Sequence, residues 1–215
     1  MLDFLRISKR RKNNGVVELY PKFIINNKSQ DLMIRGSDFY AIWVEELGMW
    51  STDEQDAIRL IDVELEKAAK EYESKYPENL TVLYMWDSET GMIDKWHKYC
   101  QKQMRDNAHM LDETLIFSNT ETTKKDYSSK RLSYPLEKGP TPAYDKLLST
   151  LYSEEERHKL EWAIGSIVSG DSKHIQKFMV LYGAAGTGKS TVLNIIQQLF
   201  DGYYSVFDAR ALGST

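Results

Sequence analysis

The chain of 215 residues has very little cysteine, little proline and no long apolar run. Its single cysteine, Cys100, excludes a disulfide within the chain and fits a reducing compartment. His97 lies nearby, but two ligands do not make a zinc site, which needs three or four. No apolar stretch reaches transmembrane length, and the first residues lack the apolar centre of a signal peptide. The sequence therefore predicts a cytoplasmic protein with no membrane partner.

The chain also lacks the excess of positive charge that is typical of nucleic-acid-binding domains, since its formal net charge is −4 at pH 7. Its basic residues nevertheless form two clusters. The first cluster consists of Arg6, Lys9, Arg10, Arg11 and Lys12, and the weaker second cluster of Lys124, Lys125, Lys130 and Arg131. Either cluster could contact a phosphate backbone, and the alternative is a solvated face or a flexible arm.

Alternating apolar residues predict strands near the start of the chain. Residues 16–26 predict a strand that is broken near Pro21, and residues 39–44 predict a second strand. Trp50 closes this β-rich part and is expected in the core. The first segment of the chain is therefore expected to be part of an α+β domain.

A long helix is predicted from about residue 52 to residue 76, where Pro77 would end it. Ser51 and Glu54 have the spacing of a capping box at its start. Asp62 and Glu64 lie two positions apart and do not share a helix face, so we interpret them as surface charges rather than as a metal-binding pair.

Weaker patterns follow up to residue 135. They predict a strand over 80–86, a helix from Ser88 to about 105, a short strand over 115–117, and a polar linker or exposed loop over 118–131.

Two further helices are predicted before residue 171. Thr141 and Pro142 are favourable at the N-cap and first positions of one helix. Ser153 and Glu156 form a capping box for the next, and Gly170 is a suitable terminator.

The most specific feature is the run of glycines followed by Lys and Ser at residues 183–190, which matches a phosphate-binding loop. Residues 178–182 before it form an apolar run that predicts a buried parallel strand. Apolar residues from Val192 to Phe200 repeat at helical spacing after it and predict a helix that begins near Lys189. The alternative is a glycine-rich turn of another α/β unit.

Each residue type in the loop has a physical role in binding a nucleoside triphosphate. Glycines let the backbone N–H groups surround anionic oxygens at a helix N-terminus. Lys189, the predicted catalytic residue, would reach the β- and γ-phosphates, Ser190 would hold Mg²⁺, and Thr191 would reach the α-phosphate. The predicted cofactors are ATP and Mg²⁺. The predicted binding residues are Gly183, Ala184, Ala185, Gly186, Thr187, Gly188, Lys189, Ser190 and Thr191.

ATP hydrolysis needs further parts, above all an acidic residue on a neighbouring strand and an arginine. Residues 204–207 could form one more strand, but Asp208 after it stands alone behind a mixed segment. Because two strands cannot bury a doubly wound sheet, we expect a truncated ATPase domain that lacks turnover of its own.

Several segments together resemble the superfamily 3 helicases of phages, plasmids and large DNA viruses, the poxvirus-type primase-helicases. The resemblance lies in residues 160–170, in the run 178–182, in the loop, and in the Ser-Thr-Val-Leu-Asn start of the next helix. Upstream, residues 48–50, 110–119 and 141–151 are similar to the helicase-associated N-terminal domain of that family.

This resemblance covers residues 38–215 and implies an ATP-driven DNA-unwinding motor, commonly hexameric, that acts in DNA replication. It implies an arginine finger supplied by a neighbouring subunit and, for a phage protein, a location in the host cytoplasm. Ala185 stands where many members have Pro or Gly. The first 40 residues carry no paired acidic motif on strands, so a priming activity is not expected.

The predicted fold is mixed α/β. It comprises an α+β accessory domain over 1–135, a helical connector over 136–171, and the beginning of a P-loop, AAA+-like parallel-sheet ATPase domain over 172–215. The leading interpretation is the ATP-binding part of a phage-type replicative helicase that works on single-stranded or forked DNA. The alternatives are another P-loop ATPase, such as a helicase loader or a DNA-packaging motor, and a nucleotide-binding assembly module.

Overall fold

The computed structural model describes residues 1–26, 28–74, 79–103 and 109–207, with only the backbone at Lys173. The described residues form a mixed α/β structure with two small three-stranded sheets. They pack into two compact units: unit 1 contains Met1–Leu111 and Thr122–Ser129, and unit 2 contains Asp112–Glu121 and the chain from Lys130 on. No described helix has both the length and the apolar character needed to cross a membrane. The division at residues 135 and 171 stays a prediction.

The first sheet of unit 1 has the order β1-β2-β6, with β1 over Leu5–Arg11, β2 over Val17–Phe23 and β6 over Leu80–Val82. β1 and β2 are antiparallel, and β6 lies parallel to the start of β2. The interpretation of the first basic cluster as a flexible arm is therefore wrong, because most of this cluster lies on strand β1. The lysines and arginines interrupt the apolar alternation that is typical of a strand, so the sequence pattern does not indicate β1. The strand predicted over 80–86 forms only at its start.

The predicted break near Pro21 is also wrong, since β2 continues through this proline. Pro21 has the same orientation along the strand as Val17, whose N–H donates to the carbonyl of Asn79 at 2.8 Å, away from β1. On that side β6 pairs only with Val17–Leu19. The missing N–H of Pro21 therefore removes no hydrogen bond from the β1–β2 ladder.

The second sheet is antiparallel and consists of β3 over Leu32–Arg35, β4 over Asp38–Val44 and β5 over Met49–Ser51. β4 confirms the strand predicted there. Trp50 is 2% exposed and packs edge-on against Trp43, with ring centroids 5.9 Å apart, which confirms its place in the core.

Helix α1 spans Glu54–Glu73, and its N-cap is Asp53 rather than Ser51. The Asp53 carboxylate accepts the N–H of Gln55 at 2.9 Å, whereas the Ser51 hydroxyl donates to Asp56 at 2.6 Å. The predicted capping box at this helix is therefore wrong. A carboxylate two residues later takes the same role, because an Asp is as good an N-cap as a Ser. Pro77, the predicted terminator, lies outside the described residues.

Asp62 is not the surface charge that the sequence indicates. Its side chain is buried in unit 1, and its carboxylate accepts the N–H groups of Met85 at 2.6 Å and Trp86 at 3.1 Å. Burial raises the pKa of Asp62, and the two backbone hydrogen bonds oppose that rise. Asp62 thus fixes the chain just after β6 onto α1.

Helix α2 spans Met92–Lys102 and follows a 3₁₀ turn at Ser88–Thr90. Its Trp96 is completely buried, and the indole N–H donates to the Glu54 carboxylate at 2.6 Å. Packing of α1 and α2 on the sheets forms the core of unit 1. Members of this core include Phe4, Leu32, Ile34, Ile42, Ile61, Leu65, Met85, Met92 and Trp96.

The polar segment 118–131 is not simply a linker. Thr123 and Asp126 form a capping box around a 3₁₀ turn at Lys124–Asp126. The carbonyl of Lys124 accepts the indole N–H of Trp50 at 3.0 Å, and that of Ser128 accepts the Trp50 backbone N–H at 2.8 Å. Its middle part therefore packs on the second sheet as part of unit 1.

Unit 2 is helical, with no strand among its described residues. Its helices are α3 over Pro142–Leu151, α4 over Glu154–Val168, α5 over Ser172–Ile175 and α6 over Lys189–Leu199.

The helix boundaries of unit 2 follow the predicted signals. Thr141 is the N-cap residue of α3, Ser153 and Glu156 form the capping box of α4, and Gly170 follows α4 with a φ of 78°. The strand predicted over 115–117 is not formed, although Ile116 and Phe117 are buried.

Candidate phosphate-binding site

The glycine loop of unit 2 turns sharply at three positions. Gly183, Gly186 and Gly188 have φ angles of 153°, 82° and 76°, in a region that residues with a Cβ rarely adopt. Helix α6 begins directly after the last of them, at Lys189, as predicted. The glycines are therefore required by the backbone path that leads into the helix.

The loop leaves several donors available. The N–H groups of residues 185–188 make no hydrogen bond within the described part of the chain. The Thr187 hydroxyl donates to the carbonyl of Ala184 at 3.0 Å, which closes the turn. Free N–H groups at the positive end of a helix dipole are the chemistry that binds an anion such as phosphate.

The Lys189 ammonium lies across the loop. Its Nζ donates to the carbonyl oxygens of Gly183 at 2.9 Å and Ala184 at 2.6 Å, and to the Thr187 hydroxyl at 3.1 Å. The cation is thus held against the first residues of the loop by neutral acceptors. A phosphate oxygen would compete well for it, because charge-assisted hydrogen bonds are roughly twice as strong as neutral ones.

Packing between helices fixes where the loop lies in unit 2. Leu148 of α3, Leu160 of α4 and Val192 of α6 form a buried apolar cluster. Gly188 lies so close to Leu151 at the end of α3 that an added Cβ would be 2.7 Å from the Leu151 methyl carbons. The glycine at this position therefore serves both the φ angle and the close approach of the two segments.

A cleft of about 380 Å³ opens beside the loop. It is lined by the ends of α3 and α4, by residues 179–183, and by Thr187 and Lys189. Apolar walls with a few polar groups, at this size, are typical of small-molecule sites.

Glu156 is the carboxylate that lines this cleft. It accepts hydrogen bonds from the Ser153 backbone N–H at 2.9 Å and the Ser153 hydroxyl at 2.7 Å. These bonds lower the pKa of Glu156. The carboxylate is occupied as a helix cap and is poorly suited to act as a general base for water.

Ser190 and Thr191 lie exposed in the first turn of α6, and their hydroxyls make no hydrogen bond within the described part of the chain. No group of three His, Cys, Asp or Glu side chains that could hold a metal occurs among the described residues. A Mg²⁺ ion at this place would rest on Ser190, phosphate oxygens and water, a set of ligands that suits this ion. Asp208 lies outside the described residues.

The apolar run before the loop is not the buried strand that the sequence predicts. Residues 178–182 pair with no strand of the described chain, and Phe178, Val180 and Tyr182 are exposed. Leu181 alone packs against the buried helical cluster. Residues 204–207 likewise form no strand. An apolar run becomes a strand only when another backbone supplies the hydrogen bonds, and the described residues of unit 2 supply none.

Within the first basic cluster, two of the five basic side chains are paired with one carboxylate of unit 1. Glu18 is 3% exposed and accepts both the Arg10 guanidinium, at 2.5 Å, and the Lys12 ammonium. Hydrogen bonds from Lys12 and Arg10 lower the pKa of Glu18. Lys9 lies over the ring of Tyr72, 5.7 Å from its centroid.

The second basic cluster is divided between the units. Lys124 and Lys125 line a cleft of unit 1, whereas Arg131, in unit 2, donates to the carbonyl of Thr120 at 2.9 Å. The other residues that line this cleft with Lys124 and Lys125 include residues from three distant segments of the chain, so sequence spacing could not indicate the cleft.

Comparison of the chain with family models, with curated proteins and with solved structures found no match. The assignment of the candidate site therefore rests on the loop geometry described above.

Proposed function

We propose that unit 2 binds ATP with Mg²⁺ through the loop and the first turn of α6. The observation that carries this proposal is the Lys189 ammonium, held across a loop whose residues 185–188 keep free N–H groups. A triphosphate carries several negative charges, and this loop offers one cation together with backbone N–H donors that have no partner in the described part of the chain.

Each side chain has a distinct role in this proposal. The Lys189 ammonium would leave the loop carbonyls and contact the β- and γ-phosphate oxygens, whose negative charge it would stabilise. The backbone of residues 185–188 orients the phosphates, and the Ser190 hydroxyl holds the metal. Mg²⁺, when bound, would neutralise part of the phosphate charge.

We further propose that this loop belongs to a P-loop, parallel-sheet ATPase domain of a phage-type replicative DNA helicase. Support comes from the residues around the loop, namely the helix that ends before Gly170 and the Ser-Thr-Val-Leu-Asn start of α6. The proposal includes a ring-shaped oligomer, commonly a hexamer, in which a neighbouring subunit supplies an arginine. It also includes DNA as the partner and the cytoplasm of a host cell as the location.

ATP affinity of the whole chain tests the binding proposal. Replacing Lys189 with Ala removes one charge-assisted contact worth about 1.5–3 kcal/mol. We therefore expect ATP affinity, measured by calorimetry with Mg²⁺ present, to fall by roughly 10- to 100-fold. Lys146→Ala is the matched control, because this exposed lysine on α3 does not line the cleft.

Ser190→Ala separates the role of the metal from that of the loop. We expect this variant to weaken ATP binding in the presence of Mg²⁺ and to leave binding unchanged in the presence of a chelator. Unchanged ATP affinity of the Lys189→Ala variant would remove the basis of the proposal.

A second candidate function is nucleotide binding without turnover, as in an assembly module. The observation that favours it is Glu156, the cleft carboxylate, which is held as a helix cap. Measurable ATP hydrolysis by the 215-residue chain, lost in Lys189→Ala, would exclude this candidate.

A further inference from the structure

Unit 1 contains a second cleft that the phosphate-binding loop does not use. Its volume is about 640 Å³, and it lies between the second sheet and the segment around the 3₁₀ turn at Lys124–Asp126. The residues that give it its character are three aromatic rings and three lysines: Trp50, His109 and Tyr127, and Lys28, Lys124 and Lys125.

The three rings form a continuous stack. The Trp50 and Tyr127 rings are 6.0 Å apart at an angle of 21°, and the Tyr127 and His109 rings are 4.0 Å apart at 22°. Trp50 anchors the stack, because it is buried and its indole N–H donates to the Lys124 carbonyl. His109 is exposed at the end of the stack, where a flat ring from solvent can reach it.

Three lysines line the cleft beside this stack. Lys28 and Lys125 are exposed and form no ion pair among the described residues. Lys124 is positioned by Asp31, whose carboxylate accepts its ammonium at 2.5 Å. No carboxylate occurs among the described residues that line the cleft. The site therefore combines a stack of three aromatic rings with two exposed lysines that are unpaired within the described part of the chain, although the chain as a whole is acidic.

We propose that this cleft binds single-stranded nucleic acid, with one base stacked on His109 and the flanking phosphates paired with Lys28 and Lys125. Unpaired bases expose flat faces, and stacking on aromatic side chains together with basic groups along the backbone is how proteins hold such strands. An apolar protein surface would leave Lys28 and Lys125 unpaired, whereas the phosphates that flank a stacked base would pair with them. The inference rests on the proposed function only in its choice of partner, since the loop of unit 2 takes no part.

Binding of a labelled oligothymidylate of about 12 nucleotides, within the usual site size of such proteins, tests this site in the absence of ATP. Anisotropy is measured on the whole chain over a range of salt concentrations. Each phosphate contact on a single strand contributes about −0.7 to the slope of log affinity against log salt. In the double variant Lys28→Gln, Lys125→Gln, that slope is expected to become less negative by about 1.4.

His109→Ala tests the stacking, and its expected effect is a fivefold or greater loss of affinity with the salt slope unchanged. His158→Ala, another exposed histidine, is its control. Arg6→Gln combined with Arg11→Gln is the control for charge, because these residues lie on β1 and not in the cleft. Both controls are expected to bind as the unmodified chain does.

Four outcomes would overturn the inference. They are absence of binding at low salt, unchanged binding in both cleft variants, an equal loss of slope in the β1 control, and displacement of the oligomer by thymidine monophosphate at equimolar concentration. The Lys189→Ala variant keeps its affinity for the oligomer if the cleft is the site. A failure of ATP binding and a failure of this inference are thus recognised separately.

Discussion

Gly188 and Gly186 provide a matched pair for testing how the loop is held on unit 2. Both have positive φ angles, 76° and 82°, so an alanine at either position experiences similar backbone strain. They differ in their surroundings. A Cβ at Gly188 would lie 2.7 Å from the Leu151 methyl carbons, whereas a Cβ at Gly186 has no atom within 4 Å.

The expected losses of folding free energy follow from the backbone strain and from the contact with Leu151. A residue with a Cβ in the left-handed region costs about 1–2 kcal/mol. Replacing glycine by alanine also lowers the conformational entropy of the unfolded chain, which stabilises the folded state by about 0.4–1 kcal/mol, equally in the two variants. The difference between these two contributions leads us to expect that Gly186→Ala destabilises unit 2 by about 1 kcal/mol or slightly less. Gly188→Ala adds overpacking against Leu151, which costs about 1–3 kcal/mol. The lower part of that range is expected, because the end of a leucine side chain can rotate.

Hydrogen exchange at the amides of α3, α4 and α6 measures the stability of unit 2 by itself. Protection of these amides should fall more in Gly188→Ala than in Gly186→Ala. A Gly188→Ala, Leu151→Val double variant should recover part of the difference, since the shorter side chain makes room for the added methyl group. Equal loss of protection in the two single variants would show that the approach of Gly188 to Leu151 does not exist in solution.

Two further predictions concern titratable groups of unit 1. Burial raises the pKa of the Cys100 thiol to about 12, so a thiol reagent at pH 8 should label the unfolded chain and not the folded one. Rapid labelling of the native chain would contradict the burial of this residue. Hydrogen bonds from Lys12 and Arg10 lower the pKa of Glu18, so its contribution to stability is present above its unfolded pKa and is lost as the pH falls through the folded one. Urea midpoints between pH 3 and 7 should therefore vary less in Glu18→Gln, and an unaltered pH dependence would count against this ion-pair network.

Most features that depend on neighbouring residues could be predicted from the sequence, although the N-cap of α1 is Asp53 and not the predicted Ser51. The capping box of Ser153 and Glu156, the terminator Gly170 and the start of α6 at Lys189 are all present in the structure. Each of them involves contacts within about one helical turn, where residue type and spacing alone determine the hydrogen bonds. The same reasoning explains why the unusual backbone conformation at the loop glycines could be predicted.

Features that depend on distant residues were not predictable in this way. Asp62 is polar and was assigned to the surface, but Met85 and Trp86, more than 20 positions away, supply the N–H groups that permit its burial. Residues 122–129 have no apolar period and still pack in unit 1, because Trp50 supplies the apolar surface and needs their carbonyls.

The candidate site also has parts that depend on neighbouring residues and parts that depend on distant ones. The proposed anion binding requires only the loop backbone, Lys189 and the start of α6, all within a short stretch of chain, so it could be proposed from the sequence. Water activation requires a carboxylate brought to the γ-phosphate by another element, and strand formation at residues 178–182 requires a second backbone. Neither requirement can be read from the loop. The loop therefore supports a proposal of ATP binding more strongly than one of hydrolysis, and measuring the two separately in Lys189→Ala is the direct way to resolve them.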